Sequence, residues 1–399
     1  MWDPRTRKKK RKTHATLAAA RAWRTDELHA VQRGTAPVQS RETVKQVGSR
    51  WLEQVKAGEV LKQAGLPYKP SVVRAYASDL ERFVFPELGY IRLSELRRRD
   101  VQRFVDELVG RGLSGSRIRG IVMPLRAICR RAIRDDQLAV NPTQQLDLPA
   151  ADGVRDRVAT AEESEVLLAA LQDRDRPLWA TALYAGLRRG ELRALRWGDI
   201  DDDVTVITVS RGWDEVEGEI DPKSAKGKRT VPVVKPLRLE LLQHKARTGG
   251  RGVDLVFGST GSTPFTPTNI RKRALRAWSL TFACGCKREP PKRMPQWARN
   301  NMPPEPEPTC PEHEAPLLRP IGLHECRHSY VSLMHDAGFS LERIGDYVGH
   351  SSSYMTDRYR HLLDGHEAEA AERFDEYLTR RTGARTGAQG EVVTLAPHG

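Results

Sequence analysis

The segment Tyr184-Ala-Gly-Leu-Arg-Arg-Gly-Glu-Leu-Arg-Ala-Leu-Arg-Trp197 decides how the second half of the chain is interpreted. Arg188 follows a Gly-Leu pair at a predicted helix junction, and Glu191 lies three residues further on, on the same helical face. This spacing favours an arginine that is buried and held by an acid. Exposed Arg–Glu pairs are common at helix starts, so the segment alone also fits a solvated surface pair.

A second segment, Leu323-His-Glu-Cys-Arg-His-Ser-Tyr330, places a histidine beside an arginine. His324 and Arg327 are three residues apart on one predicted helix, and we expect their side chains to project side by side. A histidine next to an arginine suits an anionic reacting group. A core histidine beside a surface arginine would give the same pattern.

A glycine turn followed by a polar helix is predicted at residues 348–361. His350 comes directly after Gly349, and Tyr359 follows nine residues later. An isolated tyrosine usually serves packing. Tyr354 is five residues from Tyr359, which places the two hydroxyls on widely different faces of the predicted helix.

Lysines crowd a predicted β-hairpin. The β-branched residues at 204–209 and the segment Arg229–Val234 predict its strands, and Gly212–Gly218 is predicted as a turn. The lysines before the second strand are Lys223, Lys226 and Lys228. They could reach into a DNA groove, although a solvated basic turn would have the same composition.

Taken in order, these four segments resemble the boxes of the tyrosine recombinases, the phage integrase family. They match its Gly-Leu-Arg-x-x-Glu, its hairpin lysine, its His-x-x-Arg, and its Gly-His followed by a tyrosine. The likeness covers roughly residues 41–380, and the ordered set is far more specific than any single motif. It implies a metal-free reaction in which the hydroxyl of Tyr359 attacks a phosphate of the DNA backbone.

The resemblance also implies how the anionic phosphate would be held. Arg188 and Arg327 would clamp its nonbridging oxygens through their planar guanidinium groups, and His350 would donate a further hydrogen bond. Glu191 would orient the pocket, although stabilising the start of a helix would account for it equally well.

Two proton transfers follow from the same resemblance. His324 would handle the proton of the attacking tyrosine. The family's hairpin lysine protonates the leaving 5′ oxygen, and by its spacing to Pro232 the best match is Lys223. Lys226 and Lys228 are nearby rivals for this role.

As a member of this family, the chain would be a site-specific recombinase that integrates or excises a mobile element. It would need no cofactor for catalysis and would assemble into a tetramer on duplex attachment sites, with a DNA-bending host factor and an excisionase as further partners. A type IB topoisomerase shares the chemistry, but the helical domain before the linker argues against it. A non-catalytic DNA-binding regulator is the alternative from another class, because basic helices bind duplex DNA whether or not they cut it.

The composition favours a polyanionic partner. The chain of 399 residues has 66 Lys and Arg against 52 Asp and Glu, a net charge of +14. No window approaches the roughly 18 apolar residues that span a bilayer, and the basic run at Arg5–Lys12 leads into no signal-peptide core. We therefore expect a cytoplasmic protein without a membrane partner.

The predicted fold is mainly α with a small antiparallel β-sheet, an α+β class. Residues 1–40 form a basic segment that resembles a remnant of an arm-type DNA-binding domain, and residues 41–148 a helical, SAM-like core-binding domain. The catalytic domain would span 149–381, with an insertion at about 283–319 that is too long for an ordinary loop. Residues 382–399 are predicted to be a disordered tail.

One helix of the predicted core-binding domain has an apolar side and a basic side. Its apolar stripe consists of Ile118, Ile121, Val122, Leu125 and Cys129. The basic residues outside the stripe that we expect to contact DNA phosphates are Arg117, Arg119 and Arg126.

The insertion contains Cys284-Gly-Cys286 and Cys310-Pro-Glu-His313, which offer four potential zinc ligands. A structural zinc ribbon is one interpretation. The first pair is spaced more closely than the usual zinc pair, and reduced cysteines in a disordered insertion would look the same. The odd total of five cysteines argues against a disulfide framework.

Overall fold

The computed structural model describes residues 2–3, 8–9, 11–32, 41–62, 65–150, 157–221, 227–290 and 308–349. The chain divides into two compact units, Met1–Val154 and Arg155–Gly399. The part of the predicted polar helix from His350 onward and the predicted tail at 382–399 lie outside the described residues.

The first unit is helical after a short antiparallel pair of strands, β1 (Trp2–Asp3) and β2 (Lys8–Lys9). Its helices are α1 (Leu17–Gln32), α2 (Val44–Lys56), α3 (Pro70–Asp79), α4 (Phe85–Leu88), α5 (Arg98–Gly110) and α6 (Gly115–Arg134). A π-helical turn, Leu80–Val84, joins α3 to α4. Such wider turns commonly occur as single insertions within α-helices.

Helix α6 buries the apolar stripe that its sequence predicts. The residues of the stripe that are fully buried are Ile118, Ile121, Leu125 and Cys129, and Val122 is nearly so. Ser114 caps the helix by accepting a hydrogen bond from the backbone N–H of Arg117. The helix is therefore fixed by local capping and by burial of one face.

The second unit combines helices with short strands. Its helices are α7 (Ala161–Ala169), α8 (Arg176–Ala185), α9 (Arg189–Ala194), α10 (Lys235–Thr248), α11 (Pro267–Trp278), α12 (Leu323–Asp336) and α13 (Leu341–Val348). Its strands are β3 (Val206–Val209), β4 (Gly212–Asp214), β5 (Gly218–Ile220) and β6 (Arg229–Pro232). The predicted α+β fold class is confirmed.

The strands form two ladders rather than the single predicted hairpin. β3 pairs with β6 from Val206↔Pro232 to Val209↔Arg229, and β4 pairs with β5 through Trp213↔Glu219. The segment Gly212–Gly218, predicted as a turn, thus contains a strand. Strands of three residues are too short to show an alternating apolar pattern, which is why the sequence did not reveal them.

Helix α8 lies at the centre of the second core. Trp179 and Leu183 of α8 are 1% exposed, and the Trp179 ring meets the ring of Trp278 edge to face at 4.9 Å. α8 packs on α12, so the loop that follows α8 lies beside the side chains of α12. Within the described part of the chain, no helix has the length and apolar character to cross a membrane.

Candidate active site

A buried carboxylate lies at the centre of the candidate site. Glu191, on the first turn of α9, accepts hydrogen bonds from Arg229 at both oxygens, with Nη1–Oε1 at 3.0 Å and Nη2–Oε2 at 2.8 Å. It also accepts from Nη1 of Arg188 at 2.9 Å. Two guanidinium groups share one carboxylate, so this triad has one more positive charge than negative charge.

The environment of Glu191 keeps it ionised. Burial works to raise the pKa of its carboxyl, but the hydrogen bonds and charge of Arg229, together with those of Arg188, outweigh it and lower the pKa to about 2. The carboxylate is therefore a fixed negative charge that orients both arginines at neutral pH.

Arg188 is the N-cap residue of α9, in an extended conformation. Its own backbone N–H donates to Oε2 of Glu191 at 2.8 Å, which closes the first turn of the helix. Its side chain is 30% exposed and donates from Nη2 to the backbone oxygen of Gly349 at 2.9 Å. The guanidinium is thus both held in place and accessible.

Arg229, which the sequence analysis did not single out, is the most buried member of the triad. Its side chain is 5% exposed, and its Nε donates to the backbone oxygen of Tyr347 at 2.6 Å. It lies at the first residue of β6, where the lysine-rich hairpin segment ends. The basic segment before β6 is the sequence feature that points to Arg229, but it does not reveal that Arg229 contacts Glu191 and Tyr347.

Arg327 of α12 is buried and reaches two neighbouring loops. Its Nη1 donates to the backbone oxygen of Gly186 at 2.7 Å, and its Nη2 donates to that of Val348. Gly186 has a φ of +61°, and a Cβ added there would meet Cδ1 of Tyr330 at 2.5 Å. Glycine is therefore required at this junction for both its conformation and its size.

Three consecutive backbone carbonyls at the C-terminal end of α13 each accept from a different arginine. In chain order the carbonyls belong to Tyr347, Val348 and Gly349, and the donors are Arg229, Arg327 and Arg188. The last carbonyls of a helix have no partners within it and carry partial negative charge. The arginine cluster is therefore fastened to the chain one to three residues before His350.

Two histidines of α12, His324 and His328, lie one turn apart. The rings of His324 and His328 are 4.7 Å apart and nearly perpendicular. His324 is exposed, whereas His328 is buried. His324 is thus placed where a substrate could reach it.

Tyr330 is a tyrosine of this region that is unsuited to attack a substrate. Its side chain is 3% exposed, and burial raises the pKa of its hydroxyl to about 12. The hydroxyl has no hydrogen-bond partner among the described residues. We assign it to packing against Gly186.

Several residues predicted for the site lie outside the described residues. These are Lys223, Lys226, His350 and Tyr359. Lys228 is described and exposed, directly before Arg229. The described part of the site therefore contains Arg188, Glu191, His324 and Arg327, with Arg229 added.

The arginines of α6 that we expected to contact DNA make contacts within the first unit. Arg117 forms an ion pair with Asp79, whose side chain is buried. Arg119 and Arg126 donate to the backbone oxygens of Pro149 and Thr143, at 2.5 and 3.2 Å. The contacts of Arg119 and Arg126 fasten the segment after α6 to that helix, and a role of the three arginines in DNA binding stays a prediction.

The comparison with known sequences finds integrases. The chain is 26% identical over 294 residues to the ICEBs1 integrase of Bacillus subtilis, covering 72% of each chain. It is also 26% identical over 294 residues to an integrase of Streptomyces ambofaciens, covering 69% of this chain and 67% of that one. No protein-family profile matches the chain.

The comparison with solved structures finds the same fold. The Tn1549 transposon integrase, in complex with a circular intermediate DNA, matches with a TM-score of 0.61 and 20% identity, over 80% of this chain and 95% of that one. A lambda integrase tetramer bound to a Holliday junction matches with a TM-score of 0.51 and 18% identity, over 90% of each.

In sequence and in fold, the chain is similar to tyrosine recombinases. The resemblance recognised in the sequence is therefore confirmed. Within this class, its similarity is to the integrases of mobile elements.

Proposed function

We propose that this chain is a site-specific DNA recombinase of a mobile element, which cleaves and rejoins duplex DNA through a 3′-phosphotyrosyl intermediate on Tyr359. The observation that carries the proposal is a set of three hydrogen bonds at the end of α13. Arg188, Arg229 and Arg327 each donate to one of three successive backbone carbonyls there. These arginines are thus held against residues 347–349, which directly precede the proposed catalytic His350 in the chain. Phosphoryl transfer needs such a cluster of positioned cations.

The arginines supply electrostatic stabilisation in this proposal. Phosphoryl transfer spreads negative charge over the nonbridging oxygens, and fixed guanidinium groups stabilise that charge without reorganising. Arg188 and Arg327 would donate to these oxygens, with a further hydrogen bond from His350. Glu191 and Arg229 do not need to touch the phosphate, because their role is to hold Arg188 in place.

The proposed cleavage step exchanges one phosphodiester for another. The Tyr359 oxygen attacks phosphorus and gives up its proton to His324, while the bond from phosphorus to the 5′ oxygen breaks. The 5′ oxygen takes a proton from the hairpin lysine, for which Lys223 remains the best match. Attack of a 5′ hydroxyl from a partner strand reverses the step, so neither ATP nor a metal ion is needed for rejoining.

The proposed partners follow from recombination between two sites. Four copies of the chain would assemble on two duplexes, and a DNA-bending host factor and an excisionase would set the direction. The helices of residues 41–148, with Arg117, Arg119 and Arg126, would form a core-binding domain, and residues 1–40 a remnant of an arm-binding domain. Action on DNA is in keeping with the cytoplasmic location expected from the sequence.

A plasmid assay separates this function from its rivals. The full chain is incubated, in a magnesium-free buffer without chelator, with a supercoiled plasmid that contains both attachment sites of the element. New junctions, detected by sequencing across the sites, are expected for the wild type and not for Tyr359→Phe. Relaxation without junctions would favour a topoisomerase, and a gel shift without either product would favour a regulator.

A further inference from the structure

A cluster of three cysteines and one histidine lies between α11 and α12. Cys284, Cys286, Cys310 and His313 each bring one potential ligand atom to within 4.8 Å of the other three. Nδ1 of His313 is 3.5 Å from Sγ of Cys286 and 3.7 Å from Sγ of Cys310. In a tetrahedral zinc site, neighbouring ligand atoms are about 3.5 to 3.8 Å apart. The two His313 separations match a single zinc ion, and all four ligand atoms lie close enough together to surround one.

The first pair of cysteines belongs to a tight turn. Gly285 has a φ of +91°, a left-handed conformation that favours glycine. Its N–H donates to the backbone oxygen of Phe282 at 2.9 Å, and the N–H of Phe282 donates to that of Cys286 at 2.9 Å. The turn explains how a Cys-x-Cys pair, closer in sequence than is usual, brings both thiols into one cluster.

The second pair belongs to a separate turn. The backbone N–H of Cys310 donates to Ala315 at 2.7 Å, and that of Glu314 donates back to Cys310 at 2.8 Å. Cys310 is 2% exposed, whereas His313 lies on the surface. The turn thus joins an inner sulfur ligand to an outer nitrogen ligand.

The two turns are held together by backbone pairing and by the core. The N–H of Ala283 donates to the oxygen of Pro316 at 2.8 Å, and that of Leu318 donates to Thr281 at 2.9 Å. Phe282 and Leu318 are 4% and 2% exposed. The four ligands therefore stand on a frame that is anchored independently of any metal.

We propose that Cys284, Cys286, Cys310 and His313 bind one structural Zn²⁺. Thiolates select zinc over the harder cations, and four protein ligands complete its tetrahedral coordination, which leaves no open position for catalysis. The ion links the start of the insertion, at Cys284 and Cys286, to the part near its end, at Cys310 and His313. α12 begins five residues after Leu318, so the site also fixes the chain that leads to His324 and Arg327.

The test is made on the full chain, purified in a reducing buffer. Its zinc content is measured by inductively coupled plasma mass spectrometry. We expect one zinc ion per chain for the wild type and for Cys129→Ala. Cys129 is a buried cysteine of the first unit and provides the matched control. Cys284→Ser and Cys310→Ser should each lose stoichiometric zinc.

A cobalt titration of the wild type keeps the proposal testable if the variants fail to fold. Co²⁺ added to the metal-stripped chain should give the visible absorption of a tetrahedral thiolate site, saturate at one equivalent and be displaced by Zn²⁺. A folded wild-type chain that gives neither this spectrum nor stoichiometric zinc would overturn the proposal. So would a disulfide among these three cysteines in the reduced, active protein.

Discussion

Arg229 and Glu191 form a bidentate ion pair inside the protein, with both side chains less than a tenth exposed. The two residues are separated by 38 positions and lie at the start of β6 and on the first turn of α9. Glu191 in turn holds Arg188 at its guanidinium and at its backbone N–H. The position of the proposed phosphate-binding arginine thus depends on an arginine that need not touch the phosphate.

Arg229→Lys should slow DNA cleavage while leaving DNA affinity nearly unchanged. Lysine keeps the charge but cannot make the paired contacts with Glu191, so Arg188 would lose its support. A displacement of this kind lowers the cleavage rate by about 10- to 100-fold. Arg238→Lys, on the exposed side of α10, is the control. Equal cleavage rates for the two variants would contradict the positioning role.

Glu191 should make the stability of the protein sensitive to acid. Its pKa is about 2 in the folded protein and 4.5 ordinarily, so its contribution is complete above about pH 5 and is lost as the pH falls toward 2. At pH 6 the wild type should resist urea better than Glu191→Gln. By pH 3 that difference should shrink by about 2 kcal/mol, because the carboxyl of Glu191 takes up a proton in the unfolded chain while it stays mostly ionised in the folded one.

The measurement is urea unfolding of the full chain at both pH values, followed by tryptophan fluorescence. Glu215→Gln is the control, because Glu215 also pairs with an arginine but is 60% exposed. Its difference from the wild type should change less between the two pH values than that of Glu191→Gln, because solvent screens an exposed ion pair. A constant difference for Glu191→Gln would show that this carboxylate is not held ionised.

Two glycines with the same backbone conformation allow the effect of packing against Tyr330 to be separated from the effect of the backbone conformation. Gly186 and Gly249 both end helices at φ 61° and ψ 26°. A Cβ at Gly186 would meet the Tyr330 ring at 2.5 Å, whereas one at Gly249 would meet nothing within 4 Å. Gly249→Ala should therefore cost only the left-handed conformation, about 1–2 kcal/mol of unfolding free energy.

Gly186→Ala should cost about 1–3 kcal/mol more, because the ring of Tyr330 must move. It should also reduce cleavage, since the Gly186 carbonyl accepts from Arg327. Urea unfolding and a cleavage assay measure the two effects. If both alanine variants lost the same stability and cleaved DNA equally well, the close approach of Gly186 to Tyr330 would have no role.

A DNA substrate with sulfur in place of the bridging 5′ oxygen should identify the catalytic lysine. A thiol has a pKa near 8.5, so a sulfur leaving group departs without a proton. Lys223→Ala should cleave ordinary DNA at least about 100-fold more slowly and recover on the sulfur substrate. Lys228→Ala should cleave both substrates well. Recovery that is specific to Lys226→Ala or Lys228→Ala would assign the role to that lysine instead.

Local patterns in the sequence predicted much of the helical structure. The stripe on α6 is an example, because apolar residues at helical spacing predicted it and the structure buries it. The small strands β4 and β5 were missed because three residues cannot show a period. Helices that repeat an apolar pattern over several turns could be predicted from the sequence, whereas strands of three residues could not.

Contacts between distant segments account for what the sequence did not reveal at the site. Arg188 and Glu191 are three residues apart, and helical spacing suggested their pairing. Arg229 meets Glu191 only after β6 folds beside α9. Arg117 pairs with Asp79 of another helix, a contact that helical spacing does not reveal, and its predicted contact with DNA stays a prediction. Such pairings depend on which helices and strands pack against each other, and a single sequence does not show this.

The covalent intermediate tests the central proposal most directly. The full chain is incubated in a magnesium-free buffer without chelator, with a nicked attachment site that releases a short strand on cleavage and so traps the adduct. The account predicts a denaturation-resistant protein–DNA product, with peptide mass spectrometry placing the nucleotide on Tyr359, and no such product for Tyr359→Phe. An adduct that persists in Tyr359→Phe, or none from a wild-type chain that binds the site, would contradict it.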